Sequence, residues 1–274
     1  MTTTAQNPAQ AYQQYYGPAI FEPLSAQVIP LASIQPGDAV LDIACGTGIL
    51  TRHAAVWAGP TGRVVGVDVN PAMIEVARTH PSPVTPSITY EAGDATALTF
   101  PDDAFDVVLC QQGLQFFDDR PAALEGIRRV ARPGARVVLA VWKGLDHHPL
   151  FRALAEAEQP HLAAVGAGVT WDDLVAPFSL GDADAVRDVF TSNGLHQVEL
   201  FDRSIEARFA DADRFVERLE FAYAAVVPLF TENPDAFAAY LTAIGEDTRE
   251  VVAGYRQGDE VVVPMHATIA VATA

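Results

Sequence analysis

The chain is short of basic residues, of cysteine and of long apolar runs, and each shortage removes a class of protein. Its 17 lysines and arginines stand against 35 aspartates and glutamates, a formal charge of −18 over 274 residues. Such a surface repels a phosphate backbone, and no basic cluster interrupts it, so nucleic acid is not expected as a partner. No segment reaches the roughly 18 apolar residues that a spanning helix needs. The start Met1-Thr2-Thr3-Thr4-Ala5-Gln6 has no basic stretch before an apolar core, so the expected setting is the cytoplasm, without a membrane span. Cys45 and Cys110 fall in or beside apolar, strand-like runs; two such thiols suit a reducing compartment, not a disulfide framework. No Cys/His cluster has ligand spacing, so no metal is expected. Internal repeats and low-complexity tracts are also missing.

What is present is a strand, a glycine turn, a helix and a second strand ending in an acid. The run Val40-Leu41-Asp42-Ile43-Ala44-Cys45-Gly46-Thr47-Gly48 leads to Val64-Val65-Gly66-Val67-Asp68. Glycines at 46 and 48 let the backbone turn sharply and approach a ligand, and a carboxylate closing the next strand can accept from two ribose hydroxyls. The unit therefore points to a nucleoside-bearing cofactor. A dinucleotide site wants a third small residue where this chain has Thr51. Asp42, four residues before the first glycine, would repel a pyrophosphate and suits a cationic amino group better.

From about Pro36 to Trp142 the chain resembles the class I S-adenosylmethionine-dependent methyltransferases, particularly the small-molecule branch of ubiquinone and menaquinone C-methyltransferases. The glycine segment and Asp68-Val69-Asn70-Pro71 carry this likeness first. Glu91-Ala92-Gly93-Asp94-Ala95, Phe100-Pro101-Asp102-Asp103-Ala104-Phe105-Asp106 and Arg132-Pro133-Gly134 follow in order. The resemblance implies S-adenosylmethionine as cofactor, with S-adenosylhomocysteine as product. It implies that Gly46, Thr47 and Gly48 approach the methionine part and that Asp42 holds its ammonium. Asp68 takes the ribose hydroxyls, Met73 packs on the adenine, Asp94 and the Ala95 amide read the base, and Gln111 lines the sulfonium end. Each has a plainer role open to it. Asp68 can cap the helix ahead of Pro71, Met73 can fill the core, Asp94 can cap a turn, and Gln111 and Gln112 can satisfy each other.

The expected fold is α/β: a Rossmann-like doubly wound sheet of seven strands, mostly parallel with an antiparallel C-terminal strand, plus a helical cap. Strands are predicted near 39–43, 63–67, 87–91, 105–110, 135–142, 195–205 and 261–272. The expected parts are an N-terminal helical arm or lid (1–34), interrupted by Gly17-Pro18, and a cofactor-binding core (35–145). The rest of the core with a helical linker (146–210), a helical insertion (211–256) and the last strand (257–274) complete it. In the insertion Phe215, Leu219, Phe221, Ala222, Tyr223, Val226, Val227, Leu229 and Phe230 make a helix apolar on more than one face. Such a helix buries itself over a substrate pocket, in a homodimer or against the core.

The expected chemistry is in-line methyl transfer to a small, apolar or aromatic molecule, in which the protein aligns the acceptor and excludes water. Where a proton must leave, His147 and His148 are candidate bases, with a solvated loop as their plainer role, and Tyr16 can close over the acceptor. Tyr15, Gln115, Phe116 and Trp142 are expected pocket walls. Two other classes share parts of this pattern: an S-adenosylmethionine-binding protein with a regulatory or non-methylating role, and an NAD-dependent oxidoreductase, which Thr51 and Asp42 disfavour.

Overall fold

Neighbouring valines and leucines along each central strand point to opposite faces, so both faces of the sheet must be covered. The computed structural model, which describes residues 7–81, 88–164, 169–223 and 234–274, shows how. Along the chain come α1 (Pro8–Tyr16), α2 (Glu22–Ala32), β1 (Ala39–Ile43), α3 (Ile49–Ala58), β2 (Arg63–Asp68), α4 (Pro71–Thr79), β3 (Thr89–Ala92) and β4 (Phe105–Gln111). Then follow α5 (Arg120–Val130), β5 (Ala131–Trp142), α6 (Pro149–Ala164), α7 (Trp171–Val175), α8 (Ala183–Ser192) and β6 (His196–Ala210). The last are α9 (Phe215–Tyr223), α10 (Pro234–Asp247), α11 (Arg249–Ala253), β7 (Arg256–Gln257) and β8 (Glu260–Thr273).

The sheet order is β3-β2-β1-β4-β5-β8-β6, with the two-residue β7 paired to β8 beside the seven expected strands. β1 to β5 run parallel, and β8 lies antiparallel between β5 and β6. Because β2 and β3 extend one way from β1 while β4 and β5 extend the other, the order reverses between β1 and β4. A crevice opens at their carboxyl ends, where open α/β sheets bind ligands. Val40, Val107 and Val138 pack under Leu24 and Val28 of α2 and Leu50 of α3. Leu41, Val108 and Val137 pack under Leu124 and Ile127 of α5 and Phe190 of α8. Burying each such side chain contributes about 1.5–3 kcal/mol. Among the described residues no helix is long and apolar enough to cross a membrane.

Gly17-Pro18 does not break the arm. Residues Gly17–Phe21 widen into a π turn, closed by the Glu22 N–H on Gly17 O, and α2 continues from it. Pro18 has no N–H to donate, and the wider turn absorbs the fault while keeping the chain helical. In the insertion, α9 stops being described at Tyr223, and the expected apolar positions Val226, Val227, Leu229 and Phe230 lie outside the described residues.

Candidate active site

The glycine turn after β1 is held open by its own backbone. Ala44, Gly46 and Gly48 have φ of +54°, +54° and +79°, and Gln112, which follows β4 across the crevice, has φ +59°. Non-glycine residues in the left-handed region cost energy and mark places where the chain is turned for a purpose. A Cβ added to Gly48 would stand 2.3 Å from the Tyr90 hydroxyl, whereas one added to Gly46 would meet nothing within 4 Å. Gly48 is thus small for packing, and Gly46 borders open space.

Two carboxylates flank this turn. Asp42, 1% exposed at the end of β1, accepts from the Thr51 hydroxyl at 2.5 Å. Burial pushes its carboxyl up to about 7, against the hydrogen bond from Thr51. Asp68 accepts from the Gly46 N–H through Oδ2 and from the Asn70 N–H through Oδ1, both at 2.8 Å. Burial raises its affinity for a proton and the two N–H groups lower it. The cap of α4 is Asn70, which accepts from the Ala72 N–H, so Asp68 is not that cap. Asp42, Gly46 and Thr47 line a cleft with about 330 Å³ of empty space, closed by Tyr12, Phe21 and Gln111.

Gln111 is tied to the N-terminal arm: Ser25 donates to its Oε1 at 3.2 Å and its Nε2 donates to Phe21 O at 3.4 Å. Gln112 pairs elsewhere, its Oε1 accepting from the Trp142 N–H at 3.0 Å and from Gln115 Nε2 at 2.7 Å. Arg120 fixes the Gln115 backbone by donating to the carbonyls of Leu114 and Gln115. These glutamines border a second, larger pocket of about 870 Å³, walled by Tyr16, Phe116, Trp142, Phe151 and Phe178 and also by Glu158 and Glu220. Tyr12 and Phe21 line both cavities, stacked 5.1 Å apart, so the two spaces meet across their rings.

The expected residues divide accordingly. Asp42, Gly46, Thr47 and Gln111 come together in the smaller cleft. Gly48 stands in the turn against Tyr90 and Asp68 grips the Gly46 amide. Tyr16, Gln115, Phe116 and Trp142 come together in the larger pocket. Tyr15 does not. Its ring packs on Phe209, its hydroxyl donates to Phe215 O at 3.4 Å, and it lines a separate cleft with Arg214 and Arg218. Met73 packs against Ala9 and Val76, with Tyr12 alongside. Asp94 is exposed and caps the short turn Ala95–Ala97 through the Thr96 N–H, which holds its carboxyl below the usual range; the Ala95 side chain is buried.

Neither histidine lines either cavity. His148 accepts at Nε2 from the His266 N–H at 2.9 Å, so its Nδ1 carries the proton and donates to Gly144 O at 3.1 Å. Burial lowers its proton affinity, to about 4. With both nitrogens engaged it has no lone pair for an acceptor's proton, and its ring braces Trp142, Phe151 and Phe178 from behind. His147 is half exposed, 3.6 Å from Asp146. Sequence reasoning placed none of Tyr12, Phe21, Gln112, Glu158 and Glu220 in a pocket wall. A signal existed only for Tyr12, four residues before Tyr16 on one helical face.

Residues 40–134 match the methyltransferase domain family. Over 127 residues the chain is 44% identical to the ubiquinone/menaquinone biosynthesis C-methyltransferase UbiE of Burkholderia mallei, a match that covers 44% of this chain and 51% of that protein. Between residues 40 and 134 the chain is thus similar to methyltransferase domains. It spans about half the length of the curated relatives it matches. The YcgJ protein of Bacillus subtilis shares the fold, with a TM-score of 0.55 at 18% identity over 91% of this chain and 97% of that one. So does the Haemonchus contortus phosphoethanolamine N-methyltransferase 2 solved with S-adenosyl-L-methionine. There the TM-score is 0.56 at 17% identity, over 99% of this chain and 58% of that one.

Proposed function

We propose that the chain transfers a methyl group from S-adenosylmethionine to a small apolar or aromatic acceptor held in the larger pocket. The observation that carries this is the shared wall. A cleft with an acid and bare peptide meets an aromatic pocket across Tyr12 and Phe21, as two reactants aligned for a displacement require.

The residues present fit the cofactor. Open space at the Gly46 Cα allows close approach, and Asp42 offers a buried anion to an ammonium group. Asp68 keeps further lone pairs on both oxygens for ribose hydroxyls. When bound, S-adenosylmethionine supplies a methyl group already activated on a sulfonium. The protein's work is then to orient and to exclude water. Gln111, anchored to the arm, borders the donor cleft, while Gln112 and Gln115 orient the acceptor and the aromatic walls shut out solvent.

The insertion 211–256 acts in this reading as a cap. Glu220 of α9 lines the pocket, and the Tyr16 hydroxyl ties α1 to α9 by donating to Leu219 O at 2.8 Å. An oxidoreductase reading is disfavoured because Thr51 occupies the position of the third small residue and engages the acid. Calorimetry with S-adenosylhomocysteine and with NAD tests the cofactor: the first is expected to bind and the second not. Methyl release with a panel of phenols, quinones and amines tests the transfer, and binding without release from any acceptor would favour a regulatory role.

A further inference from the structure

The polar groups of the larger pocket have an unusual balance. Trp142 N–H fixes the Gln112 amide by its oxygen, and Gln115 Nε2 donates to that same oxygen. Two buried atoms of the pair are left with no partner at all, Gln112 Nε2, which donates, and Gln115 Oε1, which accepts. The two residues are only 8% and 4% exposed. Unpaired buried polar atoms are costly, and one ligand hydroxyl answers both, accepting from the first and donating to the second.

The same pocket contains Glu158 from α6 and Glu220 from α9, 7% and 8% exposed. Burial pushes Glu158 up to about 7, and burial together with the Glu158 charge pushes Glu220 well above its ordinary value, so the pair holds a proton between them. Tyr240 of α10 donates to Glu220 at 3.4 Å, Tyr12 and Tyr16 of α1 also line the pocket, and α7 contributes Leu174. The nearby charges are spent elsewhere: His161 of α6 pairs with Asp247, and Glu217 and Arg218 of α9 line the cleft beside Tyr15. Among the described residues no lysine, arginine or histidine lines the pocket. An anionic ligand has nothing to meet there, whereas a cation enclosed by aromatic rings and two carboxyls is favoured.

We propose that the acceptor is a hydroxylated aromatic or apolar amine, its hydroxyl between Gln112 and Gln115 and its ammonium against Glu158 and Glu220. This rests on the reading of the pocket as the acceptor site. The entering cation takes the place of the proton shared by the two carboxyls, so binding releases that proton.

Tyramine serves as probe, compared by calorimetry with 4-ethylphenol, which lacks the amine, phenethylamine, which lacks the hydroxyl, and 3-(4-hydroxyphenyl)propionate, which is anionic. Tyramine is expected to bind at least about tenfold tighter than either neutral or hydroxyl-free analogue, each lacking one set of contacts. The anion is expected not to bind. Tyramine affinity should rise between pH 6 and pH 8, with heats that depend on the buffer's ionisation, and 4-ethylphenol affinity should not. Replacing Glu158→Gln and Glu220→Gln together should bring tyramine down to the affinity of 4-ethylphenol while S-adenosylhomocysteine binding persists. If that double variant does not fold, the wild-type probe series decides alone. Equal binding of tyramine and 4-ethylphenol, tight binding of the anion, or a flat pH response would overturn the proposal. Loss of the methyltransferase reading looks different: S-adenosylhomocysteine would fail to bind while the tyramine series stood.

Discussion

Thr51 donates a 2.5 Å hydrogen bond to Asp42, so the residue that spoils a dinucleotide fingerprint is the partner of the acid at the head of the turn. The bond lowers the cost of burying that carboxylate without abolishing it, and the Asp42 carboxyl still stands at about 7. A carboxyl whose folded value lies above its unfolded one favours the fold while protonated. Its contribution is lost as pH rises from the ordinary carboxylate range through about 7. Asp42→Asn is therefore expected to be more stable than the wild type at pH 8, by up to roughly 4 kcal/mol, with the gap closing towards pH 4. Urea midpoints across that range measure it. In the proposed site, where Asp42 faces the ammonium group of the cofactor, the same variant should lose about tenfold or more in S-adenosylhomocysteine affinity.

The two glycines of the turn should fail differently. Gly48→Ala places a methyl 2.3 Å from the Tyr90 hydroxyl at φ +79°, and a loss of about 2–4 kcal/mol in stability is expected. Gly46→Ala meets no neighbour and should cost about 1 kcal/mol from its φ alone, yet in the proposed site its methyl enters the space of the cofactor and should weaken binding more than tenfold. Denaturation and calorimetry on both variants separate the two effects. Equal stability losses would contradict the assignment.

Asp68→Ala removes the acceptor for the Gly46 and Asn70 amides and, in the proposed site, for the ribose. Cofactor affinity should fall by about 1–3 kcal/mol, the scale of lost partners to buried polar groups. Unchanged S-adenosylhomocysteine affinity would remove Asp68 from the binding site.

His148 gives the opposite pH signature to Asp42. Its folded value is about 4, below that of a free imidazole, so its contribution is full above about 6.5 and is lost as pH falls through about 4. His148→Ala should cost about 2–4 kcal/mol at pH 7.5, from two lost hydrogen bonds and a cavity behind the pocket wall, and less at pH 4. His147→Ala, on an exposed side chain, should leave stability and kcat/KM within about twofold of wild type. A large fall in kcat/KM for His147→Ala at unchanged stability would restore it as a candidate base.

The strands were legible because their apolar runs are bounded by glycines and acids, and the crevice followed from their order. The larger pocket was not. Glu158 and Glu220 lie 62 residues apart on helices whose other charges are solvated, and only the packing of α6 and α9 around one space distinguishes them. Tyr15 and Tyr16 are adjacent, so a helix turns them about 100° apart, and sequence alone cannot say which faces inward. Gln112 reads in the sequence as a possible partner of Gln111 and not as a pocket residue, because its left-handed backbone takes it out of the strand's alternation and towards Gln115. His148 stands in the sequence between a candidate base and a solvated loop because its restraints, Gly144 O and the His266 amide, come from a turn and from a strand more than a hundred residues away.

Tyr12 and Phe21 belong to the arm and to both chambers at once, and this has a thermodynamic consequence. Any shift of those rings that favours one guest alters the space left for the other, so the two affinities are coupled by a common factor, read identically from either side. In the proposed function, occupancy of the smaller cleft then sets how well the larger pocket is formed, through two rings of the N-terminal arm.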